Sequence, residues 1–205
     1  MPLTLALVQA LILLLAACSS HHRVPQLSHL ATDATILAFG DSLTFGSGVT
    51  PPESYPAQLA QLTGRKVVNA GVPGEISADG RQRLATTLDD EHPDLVILCL
   101  GGNDMLRHLD KDQMKANLSG MIREIRGRGI PVVLIAVPYP TLFNLKANPV
   151  YDELAREYSL PVENELLPKI LGDRSRKSDE IHPNAQGYRE LAESLAKLLR
   201  DAGAI

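Results

Sequence analysis

The run Leu95-Val96-Ile97-Leu98-Cys99-Leu100 constrains the fold more than any other stretch of the chain. Six apolar residues in a row leave no polar face, so a strand made from them is buried on both sides. Such strands belong to parallel sheets covered by helices on each face. The sequence from Thr35 onward meets that demand. Thr35 to Phe39 is a short apolar run closed by Gly40, and Lys66 to Ala70 is built round Val67-Val68. Pro131 to Val137 and Leu160 to Val162 supply two more strands. Between the strands lie helical segments: Tyr55 to Leu62, Ser77 to Leu88, Gln113 to Arg126, Val150 to Tyr158 and Asn184 to Arg200. Met114, Leu118, Met121, Ile122 and Ile125 follow a period near 3.6, as do Tyr188, Leu191, Leu195 and Leu198, and Pro183 suits the start of the last helix. Alternating strands and helices predict an α/β fold with a parallel sheet and helices on both faces. Sites in such sheets form at the carboxyl ends of the strands. Gly40, Asn69, Gly101 and Pro138 therefore open the four segments to inspect.

Composition narrows the function classes. With 205 residues and 44% apolar content, the chain suits one domain plus an N-terminal extension and can bury a sizeable core. Its net charge of −4 comes without a Lys/Arg block, so no nucleic-acid partner is expected. There is no Trp to suggest a platform for sugar rings. There is also no His-Glu-x-x-His, no Cys pair at zinc spacing and no Gly-x-x-x-x-Gly-Lys-Ser/Thr, and Gly46-Ser47-Gly48 lacks the later Gly of a dinucleotide loop. No metal and no cofactor are expected.

The N-terminus reads as an address. Leu3 to Ala17 is apolar apart from Thr4 and Gln9, and uncharged. It is shorter than the about 20 residues of a membrane span and fits the apolar region of a secretory signal. It ends Leu15-Ala16-Ala17-Cys18-Ser19-Ser20, which resembles a bacterial lipobox. The resemblance implies a lipoprotein-type signal peptide at 1–17, lipidation of Cys18 and a membrane contact through that lipid, which anchors stably when it carries several acyl chains. Ser19 in the next position resembles the pattern of lipoproteins anchored in the outer membrane and facing the periplasm. Met1-Pro2-Leu3-Thr4 lacks the basic residue with which signals usually open. This leaves open a start upstream or an atypical signal, and a plain signal with an incidental Cys is the alternative. Residues 18–33 are polar, contain His21, His22 and His29, and read as a flexible tether before a domain at 34–205. The second cysteine, Cys99, lies in the apolar run and reads as buried and inert.

Unusual residues gather where the strands end: Gly40-Asp41-Ser42-Leu43, Asn69-Ala70-Gly71-Val72-Pro73-Gly74, Gly101-Gly102-Asn103-Asp104 and, near the C-terminus, Asp179-Glu180-Ile181-His182-Pro183. An acyl-transfer site needs a hydroxyl on a rigid turn, a base to take its proton and a carboxylate to orient the base. Ser42, His182 and Asp179 offer these, the last two at a spacing that lets the carboxylate reach Nδ1. It also needs donors where charge develops on the carbonyl oxygen. The N–H of Ser42, the N–H of Gly74 and the side-chain amide of Asn103 could converge there. Each block alone has a plainer reading, as a helix cap, a turn or a loop with a solvated His. Asp41 and Asp104 read as loop-holding residues, through hydrogen bonds to backbone.

Together the four blocks resemble the signature of the GDSL/SGNH hydrolases, and the small bacterial arylesterase, thioesterase I and lysophospholipase group among them. The resemblance runs from about Thr35 to the C-terminus. It implies a three-layer α/β/α, flavodoxin-like fold with a five-stranded parallel sheet. It also implies Ser42 as nucleophile, Asp179 and His182 as its partners, and Ser42, Gly74 and Asn103 as the oxyanion hole. The activity implied is that of a serine esterase acting on acyl esters or thioesters, with a small acyl-ester or lipid substrate, in a monomer. An O-acetyl esterase of cell-wall or exported polysaccharide is the alternative within the family, and a non-catalytic binding lipoprotein the alternative outside it. The absence of Gly-x-Ser-x-Gly speaks against an α/β-hydrolase fold. Thr44, Phe45, Met105, Tyr139, Leu142, Phe143 and Leu145 are candidates to contact substrate; for the last four, covering the edge of the core is an equal reading.

Overall fold

The structure is a computed structural model that describes residues 24–140 and 145–205. The signal segment at 1–17, Cys18, Leu142 and Phe143 lie outside the described residues. The main sheet contains β1 (Thr35–Gly40), β2 (Lys66–Gly71), β3 (Leu95–Cys99), β4 (Val132–Ile135) and β7 (Val162–Glu163), in the order β2-β1-β3-β4-β7. Every pairing in it is parallel. This is the flavodoxin-like order expected above, and its reversal point falls between β1 and β3, where such sheets hold their ligands. All of β3 and β4, and β1 beyond Thr35, are buried, whereas the edge strand β2 opens on exposed Lys66. The all-apolar runs thus take the centre of the sheet, as burial on two faces requires.

The remaining elements are α1 (Ser42–Phe45), α2 (Tyr55–Thr63), α3 (Ser77–Glu91), α4 (Gly102–Leu106), α5 (Lys111–Gly127), α6 (Pro149–Tyr158), α7 (Leu166–Gly172) and α8 (Ala185–Asp201). Two short strands, β5 (Pro138–Pro140) and β6 (Leu145–Ala147), pair antiparallel outside the main sheet. Helix α2 packs on α8 and α3 on α5, and each pair presents its apolar stripe inward. Three of the longer helices have side-chain caps at their starts: Asp110 accepts from the N–H of Gln113, Asn148 from that of Val150 and Asn184 from that of Gly187. Pro183 stands one residue before the cap of α8.

Three features depart from the sequence reading. The fourth strand ends at Ile135, and the chain then leaves the sheet for the β5–β6 pair, since Pro138 and Pro140 have no N–H to give a central ladder. Helix α7 is too short to display a period, although it buries Leu167, Ile170 and Leu171. The third departure is a correction to the domain boundary. Residues 24–33, expected as part of a flexible tether, lie against the domain. The N–H of Leu27 donates to the Ala202 carbonyl at 2.8 Å and that of Leu30 to the Ala204 carbonyl at 2.9 Å. Arg65 donates back to the carbonyls of Leu30 (3.1 Å) and Ala31 (3.2 Å). Leu30 is only 5% exposed. The segment supplies donors to the chain end beyond α8, where helix carbonyls otherwise go unpaired, and buries a leucine there.

Leu30→Ala should therefore cost about 2–3 kcal/mol of unfolding free energy, by analogy with other buried leucines, read as a lowered Tm. A solvated tether would leave Tm unchanged.

Candidate active site

The geometry begins at the end of β1. Asp41 caps α1, its Oδ1 accepting the N–H of Leu43 at 3.0 Å, and this fixes Ser42 as the first residue of a one-turn helix. From the other end of the chain, the loop 177–183 folds back on itself. Ser178 N–H donates to the His182 carbonyl at 2.9 Å, and Lys177 bridges Pro183. Within this loop Asp179 Oδ1 accepts the N–H groups of Ile181 (2.8 Å) and His182 (2.9 Å). Its Oδ2 lies 2.8 Å from His182 Nδ1, and His182 Nε2 lies 3.0 Å from Ser42 Oγ. Burial works against the Asp179 charge, yet the hydrogen bonds from the His182 ring and from Ile181 hold its carboxyl below the usual carboxylate range. An ionised Asp179 takes the Nδ1 proton as its partner and leaves Nε2 as acceptor for the Ser42 hydroxyl. That is the arrangement in which an imidazole can draw a proton from a hydroxyl.

The second requirement is a set of donors. Val72-Pro73-Gly74-Glu75 forms a turn closed by Glu75 N–H to the Val72 carbonyl at 3.2 Å, with Pro in the second place and Gly74 at φ 79°. These are the marks of a type II turn, which needs glycine in its third place. A Cβ on Gly74 would meet only Arg107 Nη2, at 3.7 Å, so positive φ and not crowding explains the glycine. The N–H groups of Ser42 and Gly74 have no acceptor among the described residues. Asn103, in the first turn of α4, donates from Nδ2 to the Glu75 carbonyl at 3.0 Å, with Asp41 Oδ2 at 3.4 Å. Asp104 accepts the N–H and the hydroxyl of Ser77 at 2.8 and 2.5 Å, joining the α4 loop to the start of α3.

A cavity of about 560 Å³ opens beside Ser42, His182 and Asn103. Met105, Tyr139 and Leu145 line it, as the sequence suggested. Thr44 and Phe45 do not. The α1 turn carries Thr44 under the loop, fully buried with its hydroxyl 3.0 Å from that of Tyr55, and Phe45 points elsewhere into solvent. The cavity wall also includes Leu106, Leu109, Met114 and Ile181, which the sequence reading missed. Leu106, Leu109 and Ile181 are exposed apolar residues directly beside the Asn103 and His182 blocks, and that adjacency was the available signal.

The fold agrees with what comparison with known proteins finds. The model of the GDSL-like lipase/acylhydrolase family matches residues 38–190. The chain belongs to this family. Thioesterase 1/protease 1/lysophospholipase L1 of Escherichia coli is 29% identical over 173 residues, covering 81% of this chain and 83% of that protein. Esterase TesA of Pseudomonas aeruginosa is 28% identical over 198 residues, covering 92% and 97%. The crystal structure of TesA superposes with a TM-score of 0.73, covering 82% of this chain and 99% of that one at 28% identity. That of AlinE4, an SGNH-hydrolase family esterase, is 33% identical with a TM-score of 0.61, covering 84% and 98%. This GDSL hydrolase is accordingly a carboxylic ester hydrolase.

One carboxyl of the GDSL hydrolase behaves unusually. Asp41, 1% exposed, has its pKa pushed up to about 7, chiefly by burial and further by the charges of Glu75 and Asp104, against the Leu43 N–H that favours its ionised form. Its folded-state value thus exceeds that of the unfolded chain. The stability it contributes is complete below the ordinary carboxylate range and is lost as pH rises through about 7. Asp41→Asn keeps an acceptor for the cap but cannot ionise. The stability of the native enzyme relative to this variant should fall as pH rises from about 4 to about 7 and level off above that, by on the order of a few kcal/mol, in urea titrations at each pH. Parallel curves would overturn the assignment.

Proposed function

We propose that this GDSL hydrolase cleaves carboxylic esters and thioesters of acyl groups through a covalent acyl-serine. The observation that carries the reading is the chain of contacts from Asp179 through His182 to Ser42, at 2.8 and 3.0 Å. Ser42 Oγ attacks the carbonyl carbon while His182 Nε2 takes its proton. Asp179 holds the ring in the required tautomer and stabilises the imidazolium that forms. The negative charge on the carbonyl oxygen is met by the N–H groups of Ser42 and Gly74 and by Asn103 Nδ2. His182 returns the proton to the departing alcohol or thiol, then activates water against the acyl-serine. The apolar wall of Met105, Leu106, Leu109, Met114, Leu145 and Ile181 supports an acyl chain in preference to a sugar. The chain is read as exported and held by a lipid on Cys18 in the outer membrane, facing the periplasm, and as acting as a monomer.

Hydrolysis of p-nitrophenyl esters from acetyl to dodecanoyl tests this on the protein starting after Cys18. Octanoyl esters should be cut faster than acetyl esters; the reverse order would favour the O-acetyl esterase reading. Ser42→Ala and His182→Ala should each lower kcat by roughly four to six orders of magnitude in a folded protein. Asn103→Ala should lower kcat by about 10²–10³. Near-native turnover in either of the first two would sink the assignment.

A further inference from the structure

Arg83, on the second turn of α3, makes a fork to the carboxylate of Glu75: Nε to Oε1 at 2.6 Å and Nη2 to Oε2 at 2.7 Å. Glu75 is 7% exposed. The same Nη2 reaches the carbonyls of Ala70 (3.0 Å) and Gly40 (3.2 Å), and the guanidinium lies 3.9 Å above the centre of the Phe39 ring. These partners have one thing in common. Gly40 ends β1 and immediately precedes Asp41-Ser42; Ala70 is the penultimate residue of β2; Glu75 follows Gly74. The Glu75 carbonyl, moreover, is the acceptor that holds Asn103 Nδ2. One side chain therefore touches, directly or through Glu75, each of the three loops that present a donor to the reacting oxygen.

We propose that Arg83 and Glu75 form a positioning pair that sets the mutual placement of the Ser42 N–H, the Gly74 N–H and Asn103 Nδ2. The inference rests on the serine-esterase reading above. Neither residue touches substrate: neither lines the cavity. Their chemistry suits the task. A guanidinium offers donors in a rigid plane and can hold a carboxylate and two carbonyls at once, and its face stacks on Phe39. A lysine at the same position supplies the charge without the fork. With Glu75 clamped at its side chain and loaded by Asn103 at its carbonyl, the type II turn is held from both sides. Arg107 Nη2 adds a third hold, donating to the Gly74 carbonyl at 2.7 Å. Placement at this level matters because stabilisation of a developing oxyanion depends on donors fixed before the reaction begins.

A pair that only braces the fold would change Tm and nothing specific to the transition state, so the test separates the two. In the full chain, Arg83→Lys and Glu75→Gln are compared with the native enzyme for kcat and KM on p-nitrophenyl octanoate. Inhibition by octylboronic acid, which forms a tetrahedral adduct on serine, is measured beside inhibition by octanoate. The pair predicts that kcat falls about 10- to 100-fold with KM within about threefold. The boronate Ki should rise by about the factor by which kcat falls, while that of octanoate holds. The double replacement Arg83→Met with Glu75→Met removes both buried charges together, so it should regain Tm relative to Arg83→Met alone without regaining kcat. An unchanged kcat and boronate Ki in folded single variants would overturn the proposal, as would loss of kcat that returns fully with Tm in the double. Ser42→Ala run alongside identifies the other failure: native turnover there removes the serine-esterase reading itself, whatever the pair does.

Discussion

A Cβ on Gly40 would lie 2.2 Å from Thr44 Oγ1 and 2.4 Å from the Cys99 carbonyl, and one on Gly71 would lie 2.1 Å from the backbone nitrogen of Phe45. The site depends on that closeness. As the chain leaves β1 it turns at once into α1, and α1 packs closely on the ends of β1 and β2, where Gly40 and Gly71 present no side chain. Ser42 is thereby brought over the reversal point of the sheet, between the loop that carries Gly74 and the loop that carries Asn103. The amide donors, the cap at Asp41 and the Arg83 contacts all assume this geometry. A helix set even one side chain higher would lose them together.

Three tyrosines transmit the packing of the helices to these loops. Tyr55 of α2, Tyr151 of α6 and Tyr188 of α8 are among the largest fully buried side chains. Their rings fill the core, and each hydroxyl finds a partner at the catalytic end of the sheet: Tyr55 at Thr44, Tyr151 at the Leu100 carbonyl (2.6 Å) and Tyr188 at the Ser47 carbonyl (3.2 Å). Burial raises the pKa of all three phenols, so they remain neutral. The helices on either face of the sheet are thus joined to the loops between strands by directed bonds as well as by apolar contact.

Much of this was legible in the residues. The parallel sheet followed from strands with no polar face; Ser42, Gly74 and Asn103 stood out because chemistry-bearing residues fell where strands end, and Asp179 with His182 because of their spacing near the C-terminus. What escaped depended on distances that sequence spacing does not carry. Thr44 is a candidate substrate contact by adjacency to Ser42 alone, and adjacency says nothing about which side of a single helical turn a side chain occupies. Leu106, Leu109 and Ile181 line the cavity only because the fold brings their loops together. Arg83 was one charged residue among several in α3, and only the fold brings it beside Gly40, Ala70 and Glu75. Residues 24–33 have no period, and their order comes from partners at the far end of the sequence.

That docking has a consequence for orientation. Helix α8 starts just after His182 and ends where Gln26 Nε2 and the N–H of Leu27 bond to Asp201 and Ala202. Its 17 residues set the two ends about 25 Å apart. The described chain therefore enters the domain at the end of α8 remote from His182, and the face that carries Ser42 is turned away from that entry point.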